Sequence, residues 1–268
     1  MNPMFLHNYH SHTARCGHAS GSDKEMVEAA IANGFKTIGF SDHVMLPDIH
    51  QPRMRGDYSL LDDYINSVLS LRKEYKGIID IKLGFECEYL GEPFDSYYKE
   101  LLEKKGLDYL LLGQHCYFDK RKKEMQWYGD IFSESKRNEL YAEHLIKGME
   151  SGLFLYVAHP DTFVYVNGRW NKNGEKTAHE ICQVAEKLQI PFELNMARTR
   201  YERRVDLWRK DVFVYPYPPF WEIVNQYDIP VVVGVDAHSP KDYDVSEYEA
   251  FAEILRKTNL KFVPKLDI

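Results

Sequence analysis

Ile79-Asp80-Ile81-Lys82-Leu83-Gly84-Phe85-Glu86-Cys87-Glu88-Tyr89 decides how the rest of the chain is read. Ile79, Ile81, Leu83, Phe85, Cys87 and Tyr89 alternate with Asp80, Lys82, Gly84, Glu86 and Glu88. A period of two belongs to a β-strand, whose successive side chains point to opposite faces. The apolar set therefore packs one way and both carboxylates the other. Glu86 and Glu88 compete for one inward position, and the spacing does not choose between them.

Outward from this strand the chain alternates. Ser59 to Tyr75, stopped by Gly77, and Asp95 to Lys105, closed by Gly106, predict flanking helices. Leu107 to Gly113 is apolar apart from Asp108, which suits a parallel strand buried on both faces. Toward the N-terminus, Met4 to Tyr9 predicts a first strand, Ser22-Asp23 opens a helix ended by Gly34, and Lys36 to Ser41 predicts a second strand. Toward the C-terminus a polar loop leads to a helix over Ser133 to Ser151, a strand over Leu153 to Ala158, a helix over Glu175 to Leu188 and a strand over Ile190 to Leu194. Arg198 to Pro219 reads as irregular backbone, with Pro216, Pro218 and Pro219 inside it. A helix through Trp221 to Gln226, a strand over Ile229 to Val235, a capping box at Ser246 and Glu249, and a short closing strand at Lys261-Phe262-Val263 complete the chain. Seven strong strands alternating with helices predict a parallel sheet. No Gly-rich phosphate loop follows the first strand, which favours a barrel over a dinucleotide-binding sheet. The expected fold is α/β, a distorted (β/α)7 TIM-like barrel, with residues 1–268 as one domain.

At 44% hydrophobic and 28% charged, the 268 residues have the balance of a globular chain. The net charge is −7, with no basic stripe of the kind that neutralises nucleic-acid phosphates. The most basic segment, Arg198 to Lys210, also carries Glu202 and Asp206. No signal peptide or membrane span is legible, so the expected location is cytoplasmic, with no nucleic-acid or membrane partner. Cys16, Cys87, Cys116 and Cys182 show no CxxC spacing and are expected to be packing thiols.

The chemistry-bearing residues gather at the carboxyl ends of the expected strands. These are His10 and His12, then His18, Asp42 and His43, Glu86, His115, His159, Asn195, Asp236 and His238. In parallel α/β barrels that face is where sites form. Each residue has a structural alternative: Asp42 as a turn cap, His159 as a core histidine, Asp236 with His238 as a loop ion pair. Together they make seven imidazoles and two carboxylates, Glu86 and Asp236, too many for one catalytic ion and enough for two or three. Such a cluster holds excess positive charge and attracts an anion such as phosphate.

His10-Ser11-His12-Thr13, Cys16-Gly17-His18-Ala19, Gly39-Phe40-Ser41-Asp42-His43, Leu83-Gly84-Phe85-Glu86, Gly113-Gln114-His115, Ala158-His159-Pro160 and Asp236-Ala237-His238 together resemble the polymerase and histidinol phosphatase (PHP) superfamily. The likeness is greatest to its histidinol-phosphate phosphatases of histidine biosynthesis, and Gln114 departs from the small residue many relatives carry. The resemblance implies a centre of three divalent ions, Zn, Mn or Fe. One would lie among His10, His12, Glu86 and Asp236, one among Glu86, His115 and His159, and one among His18, His43 and His238. It also selects Glu86 over Glu88 and makes Asp42 a residue that orients an imidazole.

The implied reaction is hydrolysis of L-histidinol phosphate to L-histidinol and phosphate by a hydroxide bridging two ions. For the small phosphate ester, Arg198 and then Arg169 are the expected phosphate clamps. Tyr117 or Phe118 would stack on the substrate imidazole, and a metal-bound water, His43 or Asp161 would each serve to supply the leaving group's proton. The alternatives are a family phosphoesterase acting on a nucleotide, a nucleic-acid phosphodiester or phosphotyrosine, and an inactive metal-binding accessory module.

Overall fold

In a computed structural model, the structure describes residues 6–167, 170–197, 203–206, 209–213, 215–245 and 254–268. The strands in chain order are β1 (His7–Asn8), β2 (Thr37–Phe40), β3 (Asp80–Cys87), β4 (Tyr109–Leu112), β5 (Cys116–Asp119), β6 (Glu124–Trp127), β7 (Tyr156–Val157), β8 (Phe192–Asn195), β9 (Arg203–Asp206), β10 (Arg209–Phe213), β11 (Pro230–Gly234) and β12 (Lys261–Phe262). The helices are α1 (Asp23–Ala32), α2 (Leu61–Glu74), α3 (Phe94–Lys104), α4 (Glu134–Glu150), α5 (Thr162–Asn167), α6 (Lys172–Leu188) and α7 (Pro218–Val224). Local signals account for several ends. Ser22 and Glu25 form a reciprocal capping box at the start of α1, and Ser133 caps α4.

Eight strands form one parallel sheet in the order β1-β2-β3-β4-β7-β8-β11-β12. The sheet curls until its edges meet. Ser11 bridges Ala237, the His12 amide donates to the Ala237 carbonyl at 2.8 Å, and the Ala237 amide donates to the His10 carbonyl at 3.2 Å. This is the expected barrel, with the closing strand at Lys261–Phe262 in place on β11. The larger apolar core lies between sheet and helices. A smaller one, Tyr9, Tyr109, Leu111, Tyr156, Ala158, Val232 and Leu266, fills the barrel. Register explains its membership, because Glu86 pairs with Leu111, Leu111 with Tyr156, and Glu193 with Val232, so these residues share the inner face.

The barrel floor is closed by the C-terminal tail. The Tyr9 hydroxyl donates to the Leu266 carbonyl at 3.3 Å and accepts from its amide at 3.1 Å. Leu266→Ala is expected to cost about 2–3 kcal/mol, seen as a midpoint shift in denaturant unfolding at unchanged slope.

Three expectations are corrected. The polar loop before α4 contains the antiparallel hairpin β5–β6, and the segment read as irregular from Arg198 contains the antiparallel pair β9–β10. Helix α5 directly follows the His159 turn, where none was expected. The capping box at Ser246 and Glu249, and Met4 and Phe5 of the first strand, lie outside the described residues. No helix among the described residues is long and apolar enough to cross a membrane.

Candidate metal centre

The strand ends bring the histidines together by an irregular start. Asn8 ends β1, and its side chain takes the place of ladder bonds: Oδ1 accepts from the His10 and Val235 amides, and Nδ2 donates to the His10 carbonyl and the Ser11 hydroxyl. Tyr9 joins the inner core while His10 meets Glu193, so strict alternation is broken between them. His10 and His12 then face the same point. His18 arrives on the short 3-10 turn Ala14–Cys16, capped by Thr13, and His43 follows β2 as a bridge partner of Glu86.

Glu86 is the hub. Its Oε1 lies 2.8 Å from His159 Nε2 and 3.5 Å from His115 Nε2; its Oε2 lies 3.1 Å from His43 Nδ1, 3.4 Å from His10 Nε2 and 3.5 Å from His12 Nε2. Asp236 Oδ1 stands 3.2 Å from His12 Nε2, 3.5 Å from His10 Nε2 and 3.3 Å from His238 Nδ1. His238 Nε2 faces His18 Nε2 at 3.0 Å. The nine residues expected as ligands thus come together at one place. A methyl on Gly113 of the neighbouring segment would stand 1.9 Å from Glu86 Oε1, and one on Gly234 would stand 1.7 Å from Glu193 Oε1. The sheet is bare where these carboxylates lie. His159 (φ 31°) and Asp236 (φ 50°) hold left-handed backbone, a conformation costing about 1–3 kcal/mol each that persists where the surrounding structure imposes it.

The donor set fits divalent cations. His10 Nε2, both His12 nitrogens, Glu86 Oε2 and His115 Nδ1 are buried and make no hydrogen bond, which is costly unless something binds them. Four triads, His12/His43/His238, His10/His12/Glu86, His10/His159/Asp236 and His43/Glu86/His115, each place three ligand atoms within 4.8 Å of one another. Burial drives His12 down to about 3 and His43 well below its usual range. Burial also pushes His10 and His115 down, but Glu193, Asp236 and Glu86 raise His10 well above its usual range and Glu86 and Glu88 raise His115, so a cation binding these two rings displaces a proton. Burial pushes Glu86 up, but His115, His43 and His10 outweigh it and hold the carboxylate low; His10 and His238 do the same for Asp236. Ionised carboxylates and neutral imidazoles are the forms that bind metal. Imidazole with carboxylate suits zinc, manganese and iron.

Outer contacts hold the cluster. Asp42 accepts from the Thr13 amide at 2.6 Å and from its hydroxyl; its Oδ1 lies 3.8 Å from His12 Nδ1, beyond hydrogen-bond reach, so the structure shows no direct bond from Asp42 to the imidazole it was expected to orient. Glu88 does not enter the centre: it binds the buried Arg55 guanidinium at 2.9 and 3.0 Å and stands 3.8 Å behind His115 Nδ1. Asn195 Nδ2 donates to Glu193 at 2.8 Å and Asp236 at 3.2 Å. The four cysteines are buried thiols.

Comparison with known proteins agrees with this geometry. The PHP domain family model matches residues 8–197. The chain belongs to the PHP-domain family. A Deinococcus radiodurans protein named "Probable histidinol-phosphatase" is 27% identical over 252 residues, 91% of each chain. The "Histidinol-phosphatase" of Bacillus subtilis is 33% identical over 93 residues, 32% of this chain and 35% of that one. A solved histidinol phosphate phosphatase from Lactococcus lactis, complexed with zinc, L-histidinol and phosphate, shares the fold at a TM-score of 0.68 and 15% identity, covering 96% of this chain and 95% of that one.

A cavity of about 630 Å³ opens on the PHP centre, and besides the expected ligands it is lined by Gln114, Trp127, Tyr128, Arg137, Phe163 and Tyr215. Gln114 ties the β5–β6 hairpin to this lining, accepting from the Tyr89 amide and donating to the Tyr128 hydroxyl, both at 2.9 Å. Two expectations for the substrate end are corrected. Tyr117 and Phe118 line a separate cleft with Lys120, Arg121, His144 and Lys147. Asp161 is buried away from the cavity, its Oδ2 accepting from the Tyr217 amide at 2.6 Å and from Trp221 Nε1 at 3.1 Å, which fixes the start of α7. Arg169 and Arg198 lie outside the described residues. Sequence reasoning missed Glu193 and Arg137. Glu193 was legible, two positions before Asn195 on an otherwise apolar strand; Arg137, a helical arginine among charged neighbours, carried no such signal.

Proposed function

We propose that this protein is a metal-dependent phosphomonoesterase that hydrolyses L-histidinol phosphate to L-histidinol and phosphate, with residues 1–268 working as one domain. The observation that carries the reading is the convergence of seven imidazoles with Glu86 and Asp236 at the strand ends, onto which one cavity opens. A relative matched over 91% of its length is named "Probable histidinol-phosphatase".

Three divalent ions, of zinc, manganese or iron, are proposed in the sets His10/His12/Glu86/Asp236, Glu86/His115/His159 and His18/His43/His238. When bound, such ions neutralise phosphoryl oxygens and lower the pKa of water so that it attacks phosphorus. The chain's own residues do the positioning. Glu86 and Asp236, held ionised, fix the separation of the imidazoles around them. Asn195 orients Asp236, and Thr162, within 3.1 Å of His159 Nδ1, orients that ring. The phosphoryl group enters at the centre, and the leaving alcohol points toward the aromatic wall. Arg198 and Arg169 remain the proposed phosphate clamps; His43, buried and proposed as a metal ligand, holds no acidic proton to give, so a metal-bound water is the proposed proton donor.

The test is phosphate release from L-histidinol phosphate beside p-nitrophenyl phosphate and a short oligonucleotide, with protein loaded separately with Zn, Mn and Fe(II). A large preference in kcat/KM for histidinol phosphate is expected. Equal rates on the simple esters, or faster cleavage of the oligonucleotide, would overturn the substrate assignment.

A further inference from the structure

Glu193 is fully buried on the inner face of β8 and accepts four hydrogen bonds. Oε1 lies 2.8 Å from His10 Nδ1 and 3.2 Å from the donating Tyr156 hydroxyl. Oε2 accepts from the His159 amide at 3.1 Å and from Asn195 Nδ2 at 2.8 Å. Gly234 beside it leaves room that no side chain could share. One carboxylate thus touches the backbone of one expected ligand, the ring of a second, and through Asn195 the carboxylate of a third, Asp236.

We propose that Glu193 is a positioning residue that keeps the His10 proton on Nδ1 and so presents Nε2 to the metal as a bare lone pair. The two ring nitrogens of histidine are coupled: whatever bonds one decides the state of the other. A carboxylate only accepts, so His10 Nδ1 must donate to it. Nε2 then faces Glu86 Oε2 at 3.4 Å and Asp236 Oδ1 at 3.5 Å without a hydrogen bond.

Glutamine at 193 has the same shape and the opposite consequence. Its amide NH2 must replace one of the two oxygens. At Oε2 it would meet two donors, the His159 amide and Asn195 Nδ2, and Asn195 cannot flip without losing the bond its Oδ1 accepts from the Ala197 amide at 2.9 Å. At Oε1 it meets the Tyr156 hydroxyl, which can turn to accept, and His10 Nδ1, which accepts only if its proton moves to Nε2. The NH2 settles at Oε1, and the ligand nitrogen of His10 becomes protonated. Tyr156→Phe removes one of the four bonds without touching the tautomer and is the control.

The inference rests on the metal-centre reading and is independent of the substrate. Full-length wild type, E193Q and Y156F are stripped with chelator and titrated with zinc alone in competition with a chromophoric chelator; histidine-labelled protein is examined by long-range 15N–1H spectra. E193Q is expected to lose about ten- to a hundredfold in zinc affinity and to show His10 protonated at Nε2, while Y156F binds as wild type does. Equal zinc affinity in E193Q and wild type overturns the role of Glu193. A wild type that binds no zinc overturns both that role and the metal centre. In stripped wild type a proton is expected on His10 Nδ1; its absence overturns the proposal whatever the fate of the variants.

Discussion

Replacing Glu86 by glutamine is expected to lower phosphate release from L-histidinol phosphate on the order of a thousandfold and to lower the metal content of the purified protein. Its two oxygens lie within 3.5 Å of ring nitrogens of His10, His12, His43, His115 and His159. No other carboxylate among the described residues faces so many. Glutamine keeps the shape and removes the charge that, in the proposed centre, holds those imidazoles around shared cations. Loss of that electrostatic stabilisation is worth several kcal/mol of the barrier, and about 1.4 kcal/mol is a factor of ten. Both quantities are measured on one preparation, by phosphate release and by elemental analysis. Activity within tenfold of wild type would remove Glu86 from its bridging place.

Arg55→Met is the second large expected effect, on stability. The Arg55 guanidinium is buried, binds both Glu88 oxygens, and donates to the Val44 carbonyl at 2.9 Å and Gln51 Oε1 at 2.8 Å. Removing one partner of a buried pair strands the other charge and costs about 3–5 kcal/mol, a fall in Tm of roughly 10 °C for a chain of this size. Replacing both residues, Arg55→Met with Glu88→Leu, is expected to cost less than the single change. Acidity separates the two. Burial pushes Glu88 up, but Arg55 and His115 outweigh it and hold the carboxyl below its ordinary range. In wild type the pair's contribution is therefore present above the ordinary carboxyl pKa and lost as pH falls through the depressed one. Without Arg55, burial alone acts and raises the folded-state pKa of Glu88. The variant's deficit then shrinks as pH falls through that raised pKa, where the stranded Glu88 takes up a proton, toward the ordinary carboxyl value of about 4. Urea unfolding of metal-stripped protein at several pH values measures this; a deficit independent of pH would mean that Glu88 is not the stranded charge.

Much of this was legible because the chemistry is local to strand ends. In a parallel sheet every strand must finish at the same face, so His43 after Phe40, His159 after Val157 and Asp236 after Gly234 are gathered by topology alone. The alternation at Ile79 to Tyr89 placed both acids on one face, but only the position of Arg55, distant in sequence, separates Glu88 from Glu86. Elsewhere local reading failed for physical reasons. The β5–β6 hairpin turns through Lys120 to Lys123, and that charge run hid the short apolar strand Cys116–Phe118. Asp161 stands two residues from His159, yet the left-handed turn there carries it into the core beneath α7. Glu193 is hard to read locally because its four donors come from Tyr156, His159, Asn195 and a histidine 183 positions away.

The seam between Ser11 and Ala237 also constrains how the protein is made. The proposed ligand set begins at His10 and ends at His238, so the first and last members meet only when that seam closes. Closing a loop of such length is slow, and contacts distant in sequence form late. A chain growing from its N-terminus carries His10, His12, His18 and His43 for most of its synthesis without Asp236 to complete the set. Metal capture then belongs to the last steps of folding, and a cation supplied during refolding should slow unfolding of the finished protein far more than it hastens the early collapse.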